Sequence, residues 1–222
     1  MTVAVLVPAA GRGTRLGPGA PKALRERAGE PLLGHAVRGL RAAESVGVLV
    51  VAAPPEAVAE VAALLAPYDV EVVAGGEERQ QSVALALAAL PPHVDVVLVH
   101  DAARCLTPPD VVERVIAAVR AGAPAVVPVL PVADTVKEVA HGRILRTLDR
   151  GRLVAVQTPQ GFTRETLEEA HAGATGAPAT DDAGLVEVLG RSVATVPGDE
   201  EAFKVTRPLD LLLAEAVLRA RG

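Results

Sequence analysis

Short runs of aliphatic and β-branched residues alternate with longer stretches of helical periodicity along the chain. The short runs predict strands at residues 3–7, 46–52, 70–73, 94–99, 125–129, 153–157 and 192–196. Most of them lack strict apolar–polar alternation, which is typical of strands covered on both faces. The stretches between them predict helices at residues 31–43, 56–65, 79–90, 108–120, 164–172, 181–189 and 208–219. This order predicts an α/β fold: a three-layer sandwich around a mostly parallel, doubly wound sheet, in one domain spanning residues 1–222.

Two threonines are expected to cap helices. Thr107 precedes a proline at the start of the fourth predicted helix, and Thr206 precedes the last one. Leu209 stands where a glutamate would complete a capping box with Thr206.

Residues 131–152 interrupt the alternation of strands and helices. Val139 and Ile144 flank the His141-Gly142 pair within an arginine-rich, polar segment, which predicts a β-hairpin with a glycine turn. The segment is too hydrophilic for a connection through the core. We expect a protruding arm that serves dimerisation, and the alternative is a surface hairpin of the same subunit.

Composition and charge exclude several classes of protein. Of the 222 residues, 50% are hydrophobic and 22% are charged, which excludes intrinsic disorder. The net charge of -5 and the 1% of aromatic residues argue against a nucleic-acid partner. No apolar stretch approaches the about 18 residues of a membrane span. The single cysteine, Cys105, excludes an internal disulfide and indicates a reducing, cytoplasmic compartment.

The loop after the first strand contains the strongest local signal. Residues 8–17 combine three glycines with Arg15, and Pro21-Lys22 follows. A glycine-rich loop at the carboxyl end of a buried strand is where open α/β sheets bind phosphates, and both cations favour this. Leu16 does not fit a dinucleotide fingerprint, and Lys22 lacks the context of a P-loop. The alternative is a merely tight, glycine-rich turn.

This loop resembles the signature of nucleotidyltransferases that join a nucleoside triphosphate to a sugar or polyol phosphate. Further motifs occur in the same order along the chain: Gly75-Gly76-Glu77-Glu78-Arg79-Gln80-Gln81-Ser82-Val83, His100-Asp101-Ala102-Ala103-Arg104, Thr158-Pro159-Gln160, Thr180-Asp181-Asp182-Ala183 and Lys204-Val205-Thr206-Arg207-Pro208. Together they resemble the 2-C-methyl-D-erythritol 4-phosphate cytidylyltransferases of isoprenoid biosynthesis. The resemblance implies the Rossmann-like nucleotidyltransferase fold.

The resemblance also implies roles for individual residues. The implied catalytic residues are Arg15, Lys22, Arg150 and Lys204, with Arg150 reaching in from the partner subunit on the arm. The implied nucleotide-binding residues are Pro8, Ala9, Ala10, Gly11, Gly13, Gly76, Glu77 and Ser82. The implied residues for the polyol phosphate are Asp101, Ala102, Arg104, Thr158 and Thr180. Asp101 is also a candidate ligand for Mg²⁺ or another divalent cation, which would lie mainly on the phosphates.

The implied reaction joins CTP to a methylerythritol phosphate and releases pyrophosphate, in a homodimeric enzyme. Two alternatives remain open on the sequence: a CDP-ribitol pyrophosphorylase that uses ribitol 5-phosphate, and a catalytically silent nucleotide-binding regulator of the same fold. Three positions depart from the family pattern. Cys105 replaces a proline, Leu209 a glutamate and Glu77 an aspartate.

Overall fold

The computed structural model of the chain describes residues 1–11, 26–27, 29–173 and 180–221. The strands are β1 (Thr2–Pro8), β2 (Glu26–Arg27), β3 (Glu30–Pro31), β4 (Val48–Ala53), β5 (Glu71–Ala74), β6 (Val94–Val99), β7 (Ala125–Pro131), β8 (Lys137–Ala140), β9 (Arg143–Thr147), β10 (Val154–Val156), β11 (Gln160–Thr163) and β12 (Ala194–Pro197). The helices are α1 (Leu32–Arg41), α2 (Val58–Leu65), α3 (Arg79–Ala88), α4 (Pro109–Arg120), α5 (Arg164–Gly173), α6 (Asp182–Val188) and α7 (Pro208–Arg221).

One eight-stranded sheet forms the centre of the fold. Its order is β10-β7-β11-β6-β1-β4-β5, and β12 pairs with β7 beside this path. The pairings of β1 with β4 and β6, of β4 with β5, and of β7 with β12 are parallel. Strands β10 and β11 run antiparallel to their neighbours. The predicted mostly parallel α/β sheet is therefore confirmed.

The two faces of β1 belong to two different apolar layers. Val3, Val5 and Val7 pack with buried residues of α1, α2 and α4. Ala4 and Leu6 pack with buried residues of α3, α5 and α6. Successive residues of a strand point to opposite faces, so a continuous apolar run is what a strand between two helical layers requires.

The sequence pattern did not predict β11, which lies between β6 and β7. Its segment, Gln160-Gly161-Phe162-Thr163, is short and mixes glycine and polar residues with one aromatic side chain. Gln160 and Phe162 are nevertheless buried, at 1% and 0% exposure. This segment forms a strand because it pairs with the long apolar strands β6 and β7, although its own residues have a weak propensity for β-structure.

Both expected threonine caps are wrong. Helix α4 begins at Pro109 after Pro108, and the Thr107 hydroxyl donates instead to the Arg104 carbonyl at 2.9 Å. Helix α7 begins at Pro208, and its Asp210 carboxylate accepts hydrogen bonds from the Thr206 N–H at 2.6 Å and hydroxyl at 2.8 Å. The side chain that binds the backbone at the start of α7 is thus Asp210 in the first turn. Neither Thr206 nor a glutamate at position 209 has this role.

Strands β8 and β9 form the expected hairpin within residues 131–152. His141 and Gly142 both have positive φ, 49° and 74°, as a tight two-residue hairpin turn demands. Val139 and Ile144 face each other across the ladder and are 63% and 64% exposed. The hairpin therefore offers apolar side chains that its own strands do not cover.

Among the described helices, none has both the length and the hydropathy that a bilayer crossing needs.

Candidate active site

A cleft opens where β1 and β6 end, at the carboxyl edge of the parallel strands. It is lined by Pro8, Ala9, Ala10, Gly11, Leu32, Gly76, Glu77, Glu78, Arg79, Ser82, Asp101, Ala102, Ala103 and Lys204. This edge is the usual ligand site of open α/β sheets, because the loops that leave adjacent parallel strands meet there. The cleft thus gathers segments that lie up to nearly the full chain length apart.

Three charged residues of alternating sign form a row that lines this cleft. The Asp101 carboxylate accepts from Arg79 Nε through Oδ1 at 3.1 Å and from Lys204 Nζ through Oδ2 at 2.6 Å. Asp101 follows β6, Arg79 begins α3, and Lys204 lies in the segment before α7. One carboxylate therefore fixes two cations from distant parts of the chain.

Asp101 stays ionised throughout the physiological pH range. Burial by itself would raise the pKa of this carboxyl, but the charges of Arg79 and Lys204 and their hydrogen bonds outweigh it. They hold the pKa of Asp101 well below its usual range. Asp101 consequently keeps its charge, and its hydrogen bond holds Lys204 Nζ in the cleft.

A second, smaller group of polar contacts holds residues 100–104, here called the Asp101 loop, in place. The Asp101 N–H donates to Thr158 Oγ1 at 3.0 Å, and that hydroxyl lies 3.2 Å from His100 Nδ1. The other ring nitrogen of His100 lies 3.2 Å from the Arg104 carbonyl oxygen. A neutral imidazole that carries its proton on Nε2 satisfies both contacts.

The charge state of His100 agrees with these contacts. Burial, with a smaller effect of the Arg104 charge, lowers the pKa of His100 to about 4. The ring is therefore neutral at pH 7, and it serves as a fixed support for the loop.

A second cleft adjoins the first. It is lined by Arg79, Asp101, Arg104, Val156, Gln157, Thr158, Gln160, Thr180, Asp181 and Lys204. Arg79, Asp101 and Lys204 line both clefts, so the row of charges forms the wall between them. Ligands placed in the two clefts would meet at Lys204.

Arg104 spans one side of the second cleft. Its guanidinium donates to the Ala202 carbonyl at 2.7 Å and to the Val156 carbonyl at 3.1 Å. Its Nε is buried and makes no hydrogen bond within the described part of the chain. Arg104 thus ties the Asp101 loop to the segment that carries Lys204, a tie repeated by the hydrogen bond from the Val205 N–H to the Ala103 carbonyl at 2.8 Å.

The Gly75-Gly76 turn lies beside the first cleft, which Gly76 lines. A Cβ atom at position 75 would lie 2.7 Å from Ala10 Cβ and 3.0 Å from Ser82 Oγ, so glycine is what lets Ala10 and Ser82 of α3 approach this turn so closely. The buried Ser82 hydroxyl accepts from the Gly76 N–H at 3.1 Å. Glu77 is exposed at the rim.

Some predicted site residues do not meet in this cleft. Gly13, Arg15 and Lys22 lie outside the described residues. Arg150 lies in a short 3-10 helix after the hairpin, where its exposed guanidinium donates to the Ala133 carbonyl. It is not among the residues that line either cleft of its own chain.

Cys105 lies close to the site in sequence but apart from it in environment. Its side chain is buried in an apolar cluster with residues of α1 and α7. Cys105 therefore contributes to the apolar packing between α1 and α7.

The described residues do not build a metal centre of their own. Within the described ranges, no three His, Cys, Asp or Glu side chains converge in a way that could hold a metal ion. Both oxygens of Asp101 already accept from cations. A divalent cation would therefore need most of its ligands from a bound molecule.

Sequence reasoning did not assign a role to Arg79 or Asp182. Arg79 Nη1 lies 2.7 Å from Asp182 Oδ2, in addition to its contact with Asp101. Both residues stand inside motifs that the sequence had already marked, at positions 79 and 182. The sequence did offer one signal for Arg79: it is the first residue of a predicted helix next to the glycine pair at positions 75 and 76.

The chain is similar over nearly its whole length to one family of enzymes. A family model described as IspD, 2-C-methyl-D-erythritol 4-phosphate cytidylyltransferase, matches residues 3–220. A 2-C-methyl-D-erythritol 4-phosphate cytidylyltransferase of Streptomyces avermitilis is 58% identical, across 98% of this chain and 92% of that protein. One of Frankia casuarinae is 60% identical, across 97% of this chain and 81% of that protein.

A solved structure has the same fold. The crystal structure of 2-C-methyl-D-erythritol 4-phosphate cytidylyltransferase from Thermus thermophilus matches with a TM-score of 0.83 and 40% sequence identity. The match covers 99% of this chain and 100% of that one.

The buried, neutral His100 predicts that the stability of the protein falls at low pH. The folded-state pKa of His100, about 4, lies below the unfolded value near 6.5, so its contribution to stability is complete above pH 6.5 and is lost as the pH falls toward 4. We expect the stability advantage of the wild type over His100→Gln to shrink by roughly 2–3 kcal/mol across this interval. Denaturant unfolding at several pH values measures it.

His93→Gln is the matched control, because it makes the same change at a histidine whose side chain is exposed to solvent. Parallel stability curves for the wild type and His100→Gln would show that His100 is not held neutral by burial.

Proposed function

The chain belongs to the 2-C-methyl-D-erythritol 4-phosphate cytidylyltransferase family, and we propose that the two adjoining clefts are where its reaction takes place. The chain is a cytidylyltransferase that joins CTP to 2-C-methyl-D-erythritol 4-phosphate. The products are 4-diphosphocytidyl-2-C-methyl-D-erythritol and pyrophosphate, in the non-mevalonate route to isoprenoids.

The reaction needs alignment and positive charge more than it needs a base. The attacking group is a phosphate oxygen of the acceptor, which is ionised at neutral pH. It forms a bond to the α-phosphorus of CTP, and the bond to the leaving pyrophosphate breaks. Because both reactants are anions, catalysis consists of bringing them together and neutralising charge around the α-phosphorus.

We assign the first cleft to CTP. Gly76, Glu77 and Ser82 would hold the cytosine and ribose end. Backbone groups of Pro8, Ala9, Ala10, Gly11 and Gly13 would surround the phosphates, and Arg15 and Lys22 would contribute charge at the triphosphate. The glycine-enforced contact between the Ala10 loop and the start of α3 supports this, because it brings a phosphate loop beside a pocket lined by backbone polar groups.

We assign the second cleft to the polyol phosphate. Asp101, Ala102, Arg104 and Thr180 border it or its junction with the first cleft, while the buried Thr158 hydroxyl holds the Asp101 loop in place. Lys204 would orient the attacking phosphate. The observation that carries this assignment is that Arg79, Asp101 and Lys204 line both clefts.

We propose that Mg²⁺ or another divalent cation enters with the triphosphate. Phosphate oxygens are its preferred ligands, and Asp101 would have to release an ion pair in order to bind it. When bound, the ion would neutralise phosphate charge. The residues of the chain supply the remaining steps: they orient both anions and stabilise the charge that develops between them.

We propose a homodimer joined through the hairpin arm of a single-domain subunit, in the cytoplasm. The exposed Val139 and Ile144 give the arm an apolar face that a second subunit would cover. Arg150 lies away from both clefts of its own chain, which is consistent with Arg150 of the partner subunit completing each site.

Substrate choice is tested by pyrophosphate release from each of the four nucleoside triphosphates combined with methylerythritol, ribitol and hexose phosphates. We expect CTP with 2-C-methyl-D-erythritol 4-phosphate to give the highest kcat/KM. Lys204→Ala should lower that value roughly 10²–10³-fold, as loss of one charge-assisted contact to the reacting phosphates does.

Lys137→Ala is the matched control, since Lys137 is an exposed lysine on the arm whose ammonium donates to the Thr147 hydroxyl. It should retain wild-type turnover. Equal rates with ribitol phosphate, or full activity of Lys204→Ala, would contradict the assignment.

Mixed dimers test whether the site is shared. If each site uses its own Lys204 and Arg150 of the partner subunit, a dimer of one Arg150→Ala subunit and one Lys204→Ala subunit holds one intact site. Random mixing should then restore about a quarter of the wild-type rate, because half of the dimers are mixed and each has one intact site of two. Doubly tagged, purified mixed dimers that are as inactive as either parent would exclude sharing.

A further inference from the structure

Asp182 is a buried carboxylate behind the row of charges. It is the first residue of α6 and only 1% exposed. Arg79 Nη1 lies 2.7 Å from its Oδ2, and His171 Nε2 of α5 lies 3.0 Å from its Oδ1. A charged group so far from solvent is retained only with a compensating partner, and here that partner is an arginine of the cleft.

The neighbouring carboxylate has a different task. Asp181 caps α6 by accepting from the Gly184 N–H at 2.9 Å, and it accepts from Gln160 Nε2 at 2.7 Å. Gln160 Oε1 in turn accepts from the Ala183 N–H at 3.0 Å. These contacts fix the start of α6 against β11 without Asp182. Asp182 is therefore not needed to fix the start of α6. Among the residues that line the first cleft, the one that its carboxylate contacts is Arg79.

With Asp182, the row of charges is a continuous series of four residues of alternating sign. It runs from Asp182 to Arg79, from Arg79 to Asp101, and from Asp101 to Lys204. Arg79 is the only bridge between the two carboxylates within the described residues, and it uses a different nitrogen for each. Arg79 donates a hydrogen bond to Asp101 through Nε and forms a close ion pair with Asp182 through Nη1, and two charged contacts restrict the orientation of a planar guanidinium more than one contact does.

We propose that Asp182 is a positioning residue for the transfer reaction, acting through Arg79 and Asp101 on the ammonium group of Lys204. This rests on the proposed function of the two clefts. Without the Asp182 charge, Arg79 would be free to turn its second nitrogen toward Asp101 and form the two-point pair that guanidinium and carboxylate groups favour. Arg79 would then compete with Lys204 for Asp101, and Lys204 would leave the junction of the clefts.

The effect should fall on the acceptor more than on the nucleotide. Lys204 lies at the junction where the acceptor phosphate is proposed to attack, whereas Gly76 and Ser82 are joined by a hydrogen bond that does not involve Asp182. We expect Asp182→Asn to raise the KM for 2-C-methyl-D-erythritol 4-phosphate about tenfold and to lower kcat, with the KM for CTP within about twofold of the wild type.

The matched control is Glu169→Gln on α5. It also removes a carboxylate that pairs with an arginine, Arg191, but this pair is exposed and lines neither cleft. Both KM values should stay at the wild-type level. A merely structural role would lower the unfolding midpoint and the apparent kcat while leaving the KM for the acceptor unchanged, and this result would overturn the positioning role.

Arg79→Lys gives a second test, and this single variant stands on its own if Asp182→Asn does not fold. A lysine keeps the charge but cannot contact both carboxylates in the same planar arrangement. We expect the same selective rise in the acceptor KM, and adding Asp182→Asn to Arg79→Lys should change it by less than about threefold, because both changes break one chain of contacts.

Effects that multiply, or an unchanged acceptor KM in Arg79→Lys, would refute the proposal. These failures differ from failure of the proposed function, in which the wild type itself would not release pyrophosphate from CTP and the polyol phosphate.

Discussion

One largely buried carboxylate that holds two cations determines the form of this site. Asp101 accepts from Arg79 on one side and from Lys204 on the other, and both clefts are built against that row. The reaction must bring two phosphate-bearing anions into contact, and their repulsion is the main obstacle. A free cation on a flexible surface side chain would be a poor counter-charge, because its position is not fixed. A lysine held by such a carboxylate is positioned before the substrates arrive.

The fold supplies this row by bringing distant segments to one edge of the sheet. Asp101 follows β6, Arg79 begins α3 and Lys204 precedes α7, so no two of them are neighbours in sequence. The apolar layers on both faces of β1 hold the strands that carry these loops. The neutral His100 and the Thr158 hydroxyl hold the Asp101 loop from beneath, and Arg104 ties it to the Lys204 segment. Local rigidity of the loops thus comes from hydrogen bonds between elements, and not from any one element.

Much of the fold was predictable because the spacing of apolar residues within a short segment is enough to indicate a buried strand or an amphipathic helix. The apolar runs at residues 3–7 and 94–99 predict buried parallel strands, and the structure has them as β1 and β6. Strand β11 was not predictable, since Gln160 and Gly161 have no strand propensity and are held by their neighbours. The same limit applies to the site. Asp101 and Lys204 stand in motifs that resemble a known family, but their mutual contact, the bridging role of Arg79 and the burial of Asp182 depend on tertiary geometry that spacing does not encode.

The central claim is that the Asp101 charge holds the cations that make the transfer possible, and the kinetics of Asp101→Asn test it most directly. The amide preserves the shape of the side chain and removes its charge, so the fold, monitored by thermal unfolding, should persist. We predict that kcat/KM for 2-C-methyl-D-erythritol 4-phosphate falls roughly 10²–10³-fold in this variant. A folded Asp101→Asn enzyme with kcat/KM within a few-fold of the wild type would contradict the account.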